Sequence, residues 1–226
     1  MPEQSNWNPC SLPPPPLHGG DLHIWKLDLS EHGNTIHPPL SSDETRRAEK
    51  LRSEDQKKRF VVARKEMRQI LAAYLECKPA DISFAYGKKG KPAIKFPESD
   101  IQFNITHSGD LGLLAVTRGN PVGIDLEPVV QRKNARHIAQ RVFDQAVLDE
   151  LDQLEDEHFF SPFFQYWTSL ESRIKAIGVG VFDYASSVSA LEAHNFEPQS
   201  GWMASVSALS PLPEKTKWVM LYLDLS

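Results

Sequence analysis

Cysteine is scarce in this chain. Two thiols, Cys10 and Cys77, stand among 226 residues, and their number and spacing build neither a disulfide framework nor a cysteine metal site. A reducing, cytoplasmic setting is therefore expected. Long apolar runs are missing as well: none approaches the ~18 residues of a membrane-spanning helix, and no membrane partner is expected. Nor is positive charge in excess. Lys and Arg total 25 against 30 Asp and Glu, a net −5, which argues against a general nucleic-acid binder. The spacings of a zinc site, a Gly-rich phosphate loop and the Gly-x-Ser-x-Gly elbow of a serine hydrolase are all absent. What remains is ordinary globular material, 40% hydrophobic and 24% charged. It can bury a core, and it excludes wholesale disorder, a collagen-like repeat and a coiled coil.

Residues 1–20 carry Pro13-Pro14-Pro15-Pro16, a single acidic residue and no apolar stretch of signal-peptide type. They read as a disordered lead-in. Order is expected from Asp21, with a strand over 22–29 and a loop from Ser30 to Pro39. Ser41 with Glu44, and Ser53 with Gln56, have the form of helix-start capping boxes. Helices are accordingly predicted over 42–51 and 54–75. In the second, Phe60, Ala63, Met67, Leu71 and Tyr74 recur at helical spacing as its buried stripe. Strands are predicted at 82–84, 92–96, 101–105, 113–117 and 122–127, then helices at 134–143, 145–154 and 160–177, then strands at 181–190, 202–208 and 217–224. This order is α+β rather than the strict alternation of a doubly wound sheet. Leu22 to Ser30 and Trp218 to Ser226 both end in Leu-Asp-Leu-Ser. The echo marks two similar halves or follows from strand composition alone.

Charge is uneven along the chain. Between Arg46 and Arg68 ten basic residues face four acidic ones, a local +6, whereas Asp144 to Glu157 holds seven acidic residues and no Lys or Arg. The acidic stretch reads as solvated surface. The basic one is either a solvated helix face laced with i,i+4 pairs or a surface for phosphate groups or an acidic protein.

Three segments could carry chemistry. In Val122-Gly123-Ile124-Asp125-Leu126-Glu127 the strand period of two puts Asp125 and Glu127 on one face and Ile124 and Leu126 in the core. Two such carboxylates raise each other's pKa unless a cation sits with them. Mg²⁺ suits that pattern, because it takes one or two carboxylates together with phosphate oxygens. Outward polar positions of an edge strand would look the same. In Trp167-Thr168-Ser169-Leu170-Glu171-Ser172-Arg173-Ile174-Lys175, the residues Trp167, Glu171 and Lys175 share one helix face. They form either a surface pair beside an aromatic or a third carboxylate and a cation for phosphate charge. In Phe103-Asn104-Ile105-Thr106-His107-Ser108-Gly109, His107 sits at a strand end between two hydroxyls, as a structural residue or as part of a phosphate site.

In their order and separations, and with Gly90-Lys91-Pro92 ahead of the histidine segment, these motifs resemble the 4′-phosphopantetheinyl transferases, in particular the broad-specificity surfactin-synthetase-activating type. The likeness runs over residues 40–185. Arg173, where an apolar or aromatic residue is usual, and Val179, where a basic one is common, depart from the pattern. The resemblance implies two similar α+β halves in one chain with the active site in the cleft between them, drawn here as 21–119 and 120–226. It implies a monomer that moves the phosphopantetheine arm of coenzyme A onto a serine of an acyl- or peptidyl-carrier protein, leaving adenosine 3′,5′-bisphosphate.

Roles follow from the same resemblance. Asp125, Glu127 and Glu171 would hold Mg²⁺ on the pyrophosphate, and Lys175 would balance transition-state charge. His107, with Thr106 or Ser108, would bind the 3′-phosphate end or the adjacent pyrophosphate. Lys91 and Arg59 would be further coenzyme A contacts, with Arg46 or Arg47 as another. The base for the carrier serine is left between Glu171 and a metal-activated water. Other readings are a different Mg²⁺-dependent phosphoryl-transfer enzyme, a catalytically silent binder of coenzyme A or carrier protein, and a basic-helix RNA binder. The last would need aromatics interleaved with Arg and Lys, and residues 54–75 offer only Phe60 and Tyr74, both on the apolar stripe.

Overall fold

The computed structural model describes residues 5–30, 40–87, 90–178 and 191–224. The strand expected at 181–190, Val179, most of the loop before residue 40 and the last two residues of the echoed C-terminal segment lie outside them.

Ten strands and five α-helices are found among the described residues, in a mixed α+β arrangement. The central layers are two sheets. One has the order β1 (Asn8–Cys10), β10 (Val219–Leu223), β2 (His23–Asp28), β6 (Leu111–Arg118), β5 (Ile101–Ser108); the other runs β7 (Val122–Pro128), β9 (Trp202–Ala208), β8 (Ala193–Phe196). A separate hairpin pairs β3 (Ser83–Tyr86) with β4 (Pro92–Phe96).

Strand alternation sorts side chains into two cores. One face of the five-stranded sheet, with Trp25, Leu27, Phe103, Leu114 and Val116, packs on the apolar stripe of α2 (Glu54–Tyr74), where Ala63, Met67, Ile70 and Leu71 are buried. The other face sends Leu22, Ile24, Leu113 and Ala115 against Val122, Ile124, Leu126 and Val206 of the second sheet. Helix α5 (Asp156–Ile177) covers the far side of β7 and β9. The layers therefore read helix, sheet, sheet, helix. The expectation of two α+β halves holds in this form.

Three local readings are corrected. Residues 8–10, taken as part of a disordered lead-in, form β1 parallel to β10, and Cys10 and Leu17 are buried in the α2 core. Apolar burial there offsets the ordering cost that a proline-rich composition signals. The capping box at Ser41 forms in full with Glu44 at the start of α1 (Ser42–Glu49), but Ser53 precedes α2 without a side-chain cap bond. Acidic Glu54 and Asp55 stand in that first turn, at the positive end of the helix dipole. Finally, β8 was not expected, because Ala193-His194-Asn195-Phe196 buries only Phe196 fully.

The sequence echo has its own explanation. Val219 pairs with His23, Met220 with Ile24, Leu221 with Trp25 and Tyr222 with Lys26, in parallel register. The two similar segments are neighbours in one sheet, where equivalent positions share the same faces, and not matching strands of two halves.

Candidate active site

β7 supplies the first carboxylates. Ile124 and Leu126 are buried between the sheets, so parity turns Asp125 and Glu127 toward α5. Gly123 shares their face and explains how close α5 comes. A Cβ placed there would lie 2.1 Å from the Ser172 carbonyl oxygen and 2.3 Å from the Ala176 nitrogen, so only glycine lets the two backbones touch. Behind the contact a buried hydroxyl cluster fixes the rotation of α5. Ser172 Oγ bonds Ser205 Oγ at 3.2 Å and Ser207 Oγ at 3.0 Å, and Ser169 Oγ donates to Asn195 Oδ1 at 3.0 Å. That rotation points Glu171 and Lys175 at β7.

Asp125 is the centre of the arrangement. The Lys175 ammonium stands 2.5 Å from its Oδ1 and also donates to Thr106 Oγ1 at 3.2 Å. Oδ2 is buried and has no hydrogen-bond partner, a costly state for a carboxylate oxygen unless a further group meets it. Burial, then the Asp125 charge, raises the pKa of Glu127, which Arg132 at 3.6 Å and a Trp167 side-chain hydrogen bond partly oppose. Glu171 is likewise raised, by burial first and next by Asp125. Three carboxylates thus share one field with a single close ammonium. Among the described residues, no group of three or more His, Cys, Asp or Glu is gathered tightly enough to enclose an ion. The chemistry of the donor set still fits a divalent cation: oxygen ligands, mutual repulsion and one unpartnered buried oxygen.

A cationic region adjoins this centre. β5 extends through Ser108, so His107 lies in the strand rather than in a turn. Its pKa is lowered, first by crowding of protein around the ring and then by Lys175, Arg64 and Arg59. These three cations mark a positive potential suited to anions. Arg59 Nε meets Asp110 at 2.7 Å at the β5–β6 turn. Arg46 faces solvent beside Asp43, whereas the Arg47 guanidinium stacks on the Tyr86 ring at 3.6 Å, which separates two residues the sequence could not.

Lys91 is placed differently from expectation. Expected as a coenzyme A contact, it has its ammonium on three backbone carbonyls of β7 and α5. Arg64 was not singled out by the sequence reading. It is buried, burial lowers its pKa, and its guanidinium makes a weak bond to Met67 Sδ at 3.8 Å. The available signal was its i−4 and i+4 relation to Phe60 and Arg68 on the buried side of α2.

Comparison with known proteins agrees with this geometry. The family description "4′-phosphopantetheinyl transferase, N-terminal" matches residues 25–119, and "4′-phosphopantetheinyl transferase superfamily" matches residues 121–217. The 4′-phosphopantetheinyl transferase HetI of Nostoc sp. is 35% identical over 178 residues, 75% of each chain. The 4′-phosphopantetheinyl transferase AcpT of Escherichia coli is 34% identical over 101 residues, 45% of this chain and 51% of that protein. The 4′-phosphopantetheinyl transferase gsp of Aneurinibacillus migulanus is 34% identical over 116 residues, 51% of this chain and 46% of that protein. The match spans about half the length of these last two relatives. The chain belongs to the 4′-phosphopantetheinyl transferase superfamily.

Proposed function

From that membership and from the carboxylate centre, we propose that the protein is a broad-specificity 4′-phosphopantetheinyl transferase. It moves the phosphopantetheine arm of coenzyme A to the serine hydroxyl of an apo acyl- or peptidyl-carrier protein and releases adenosine 3′,5′-bisphosphate. The observation that carries the reading is Asp125: a buried carboxylate with one oxygen on Lys175, the other unpartnered, and Glu127 and Glu171 sharing its field. Asp125, Glu127 and Glu171 would hold Mg²⁺, which when bound neutralises pyrophosphate charge and polarises the phosphorus under attack.

The chain's own residues do the rest. His107, with Thr106 or Ser108 of β5, takes the phosphate groups of coenzyme A, and Arg59 adds charge from α2. Lys175, drawn to Asp125 by charge, sits where it can also meet charge developing on the transferred phosphate. Glu171, or a water activated by the bound ion, would accept the carrier serine's proton. No helix among the described residues is long and apolar enough to cross a membrane, and Cys10 and Cys77 are free thiols. We place the reaction in the cytoplasm, with a monomer as catalyst.

The test is intact mass spectrometry of several apo-carrier proteins incubated with this protein, coenzyme A and Mg²⁺. One phosphopantetheine mass should be added to the carrier serine, and Asp125→Ala or Glu171→Ala should lower turnover by orders of magnitude in folded protein. No mass gain on any carrier overturns the function. Full transfer by Asp125→Ala in chelator-treated buffer overturns the site.

A further inference from the structure

The spacing between β7 and α5 sets the carboxylate centre, and the tie across that spacing comes from the other half of the chain. Helix α5 stops at Gly178, whose left-handed backbone (φ 83°) returns its N–H to the Ile174 carbonyl at 2.8 Å. The carbonyls of Lys175 and Ala176 lie in that last turn, beyond the reach of any later helical N–H. Lys91 meets them. Its Nζ donates to the Lys175 oxygen at 2.6 Å, to the Ala176 oxygen at 3.3 Å and to the oxygen of Val122, the first residue of β7, at 2.9 Å. An ammonium has three donors, and three carbonyls stand ready for them. The positive charge also faces the negative end of the α5 dipole.

Hydrogen bonds among Gly87, Gly90 and Lys91 set the backbone that carries this side chain. Gly87 N–H bonds the Lys91 oxygen at 3.0 Å, Gly90 N–H bonds the Gly87 oxygen at 2.9 Å, and Gly90 takes φ 84°, a conformation that favours glycine. Next to the clamp, Gly123 lets β7 and α5 touch backbone to backbone. Burial pulls the ammonium's pKa down to about 8, the desolvation cost that the three carbonyl bonds offset.

Resting on the transferase reading above, we propose that the Lys91 side chain is a positioning group: it clamps the end of α5 to the start of β7, and so sets Glu171 and Lys175 against Asp125 and Glu127 instead of sending its ammonium to coenzyme A. The parent protein tests this first. In lysine acetylation followed by peptide mass spectrometry, Lys91 should resist modification under conditions that label Lys57 and Lys58, with or without coenzyme A. Free labelling that coenzyme A suppresses would overturn the clamp.

Variants test it second. Lys91→Met should speed hydrogen exchange of the 170–178 segment by about tenfold or more and lower kcat by at least about tenfold, with KM for coenzyme A within about threefold. Lys91→Arg, which keeps charge and donors, should recover part of both effects. Unchanged exchange with KM for coenzyme A raised about tenfold would make Lys91 a ligand contact and refute the proposal. If Lys91→Met does not fold, the labelling result and the Arg variant decide. Failure of the transferase reading is distinguishable, because the parent would then transfer to no carrier while labelling and exchange still judge the clamp.

Discussion

Gly123→Ala is the smallest change that should separate the two halves of the catalytic centre. The added methyl carbon would lie 2.1 Å from the Ser172 oxygen, 2.3 Å from the Ala176 nitrogen and 2.8 Å from the Lys175 carbonyl carbon. All three are backbone atoms of α5, so no side chain can rotate away. Relief requires α5 to move from β7 by about 1 Å, the gap between that contact and the shortest approach a real Cβ tolerates. Overpacking of this kind costs ~3 kcal/mol, the upper part of its usual range. For a chain of this size ~3 kcal/mol lowers Tm by about 6–12 °C. The same displacement carries Glu171 and Lys175 from Asp125, and a 1 Å misplacement of reacting groups can cost about 10²-fold in rate. Calorimetry and single-turnover transfer to a carrier measure the two effects. Gly19→Ala is the control, since nothing lies within 4 Å of a Cβ there. If Gly123→Ala melts like the parent and keeps its rate, the backbone contact is not what seats α5.

Three further outcomes are expected. Glu127 and Glu171 both have raised pKa values, so each adds stability at low pH that is lost as pH rises through its folded pKa; without added metal, Glu127→Gln or Glu171→Gln should therefore melt above the parent at pH 7.5, with the gap closing below pH ~4. A parent that melts higher at pH 7.5 would remove the proposed repulsion. The Arg68–Glu44 pair, at 2.8 Å and with side chains 1% and 0% exposed, ties α1 to α2, and Arg68→Met should cost ~3–5 kcal/mol by leaving Glu44 buried and unpaired; a urea midpoint close to the parent's would contradict this. If the basic stretch steers an acidic carrier, the Lys57, Lys58 and Lys65 triple change to Glu should lower kcat/KM for the carrier at low salt and flatten its salt dependence. Equal efficiency and equal salt dependence in parent and triple variant would send the search for the partner surface elsewhere.

The parts of this centre that were legible in the sequence obey local periodicity. Asp125 and Glu127 share a face because a strand repeats every two residues, and Glu171 and Lys175 share one because they are four apart on a helix. Nothing more than spacing was needed for either pair. The missed parts depend on partners far along the chain. β1 exists because Asn8 to Cys10 find Leu221 to Leu223, and no pattern within Asn-Pro-Cys announces that pairing. β8 is stabilised as a neighbour of β9 and carries one fully buried residue, too few to set a period.

Charge shows the same division more sharply. Ten basic residues between Arg46 and Arg68 look alike in composition, yet the fold gives them different tasks. Arg68 is sealed on Glu44, Arg64 is buried beside Met67, Arg59 is paired with Asp110, and Arg47 lies on Tyr86. Lys91, in Gly90-Lys91-Pro92, was expected as a coenzyme A contact from the family resemblance alone. Its ammonium lies in the seam between β7 and α5 for a physical reason: the open end of α5 offers carbonyls that no helical N–H can satisfy. The destination of a charged side chain is therefore set by which unsatisfied backbone groups the fold leaves within reach. Those groups come from helix ends and strand starts that lie far apart in sequence, so that part of the site becomes readable only when the elements are assembled.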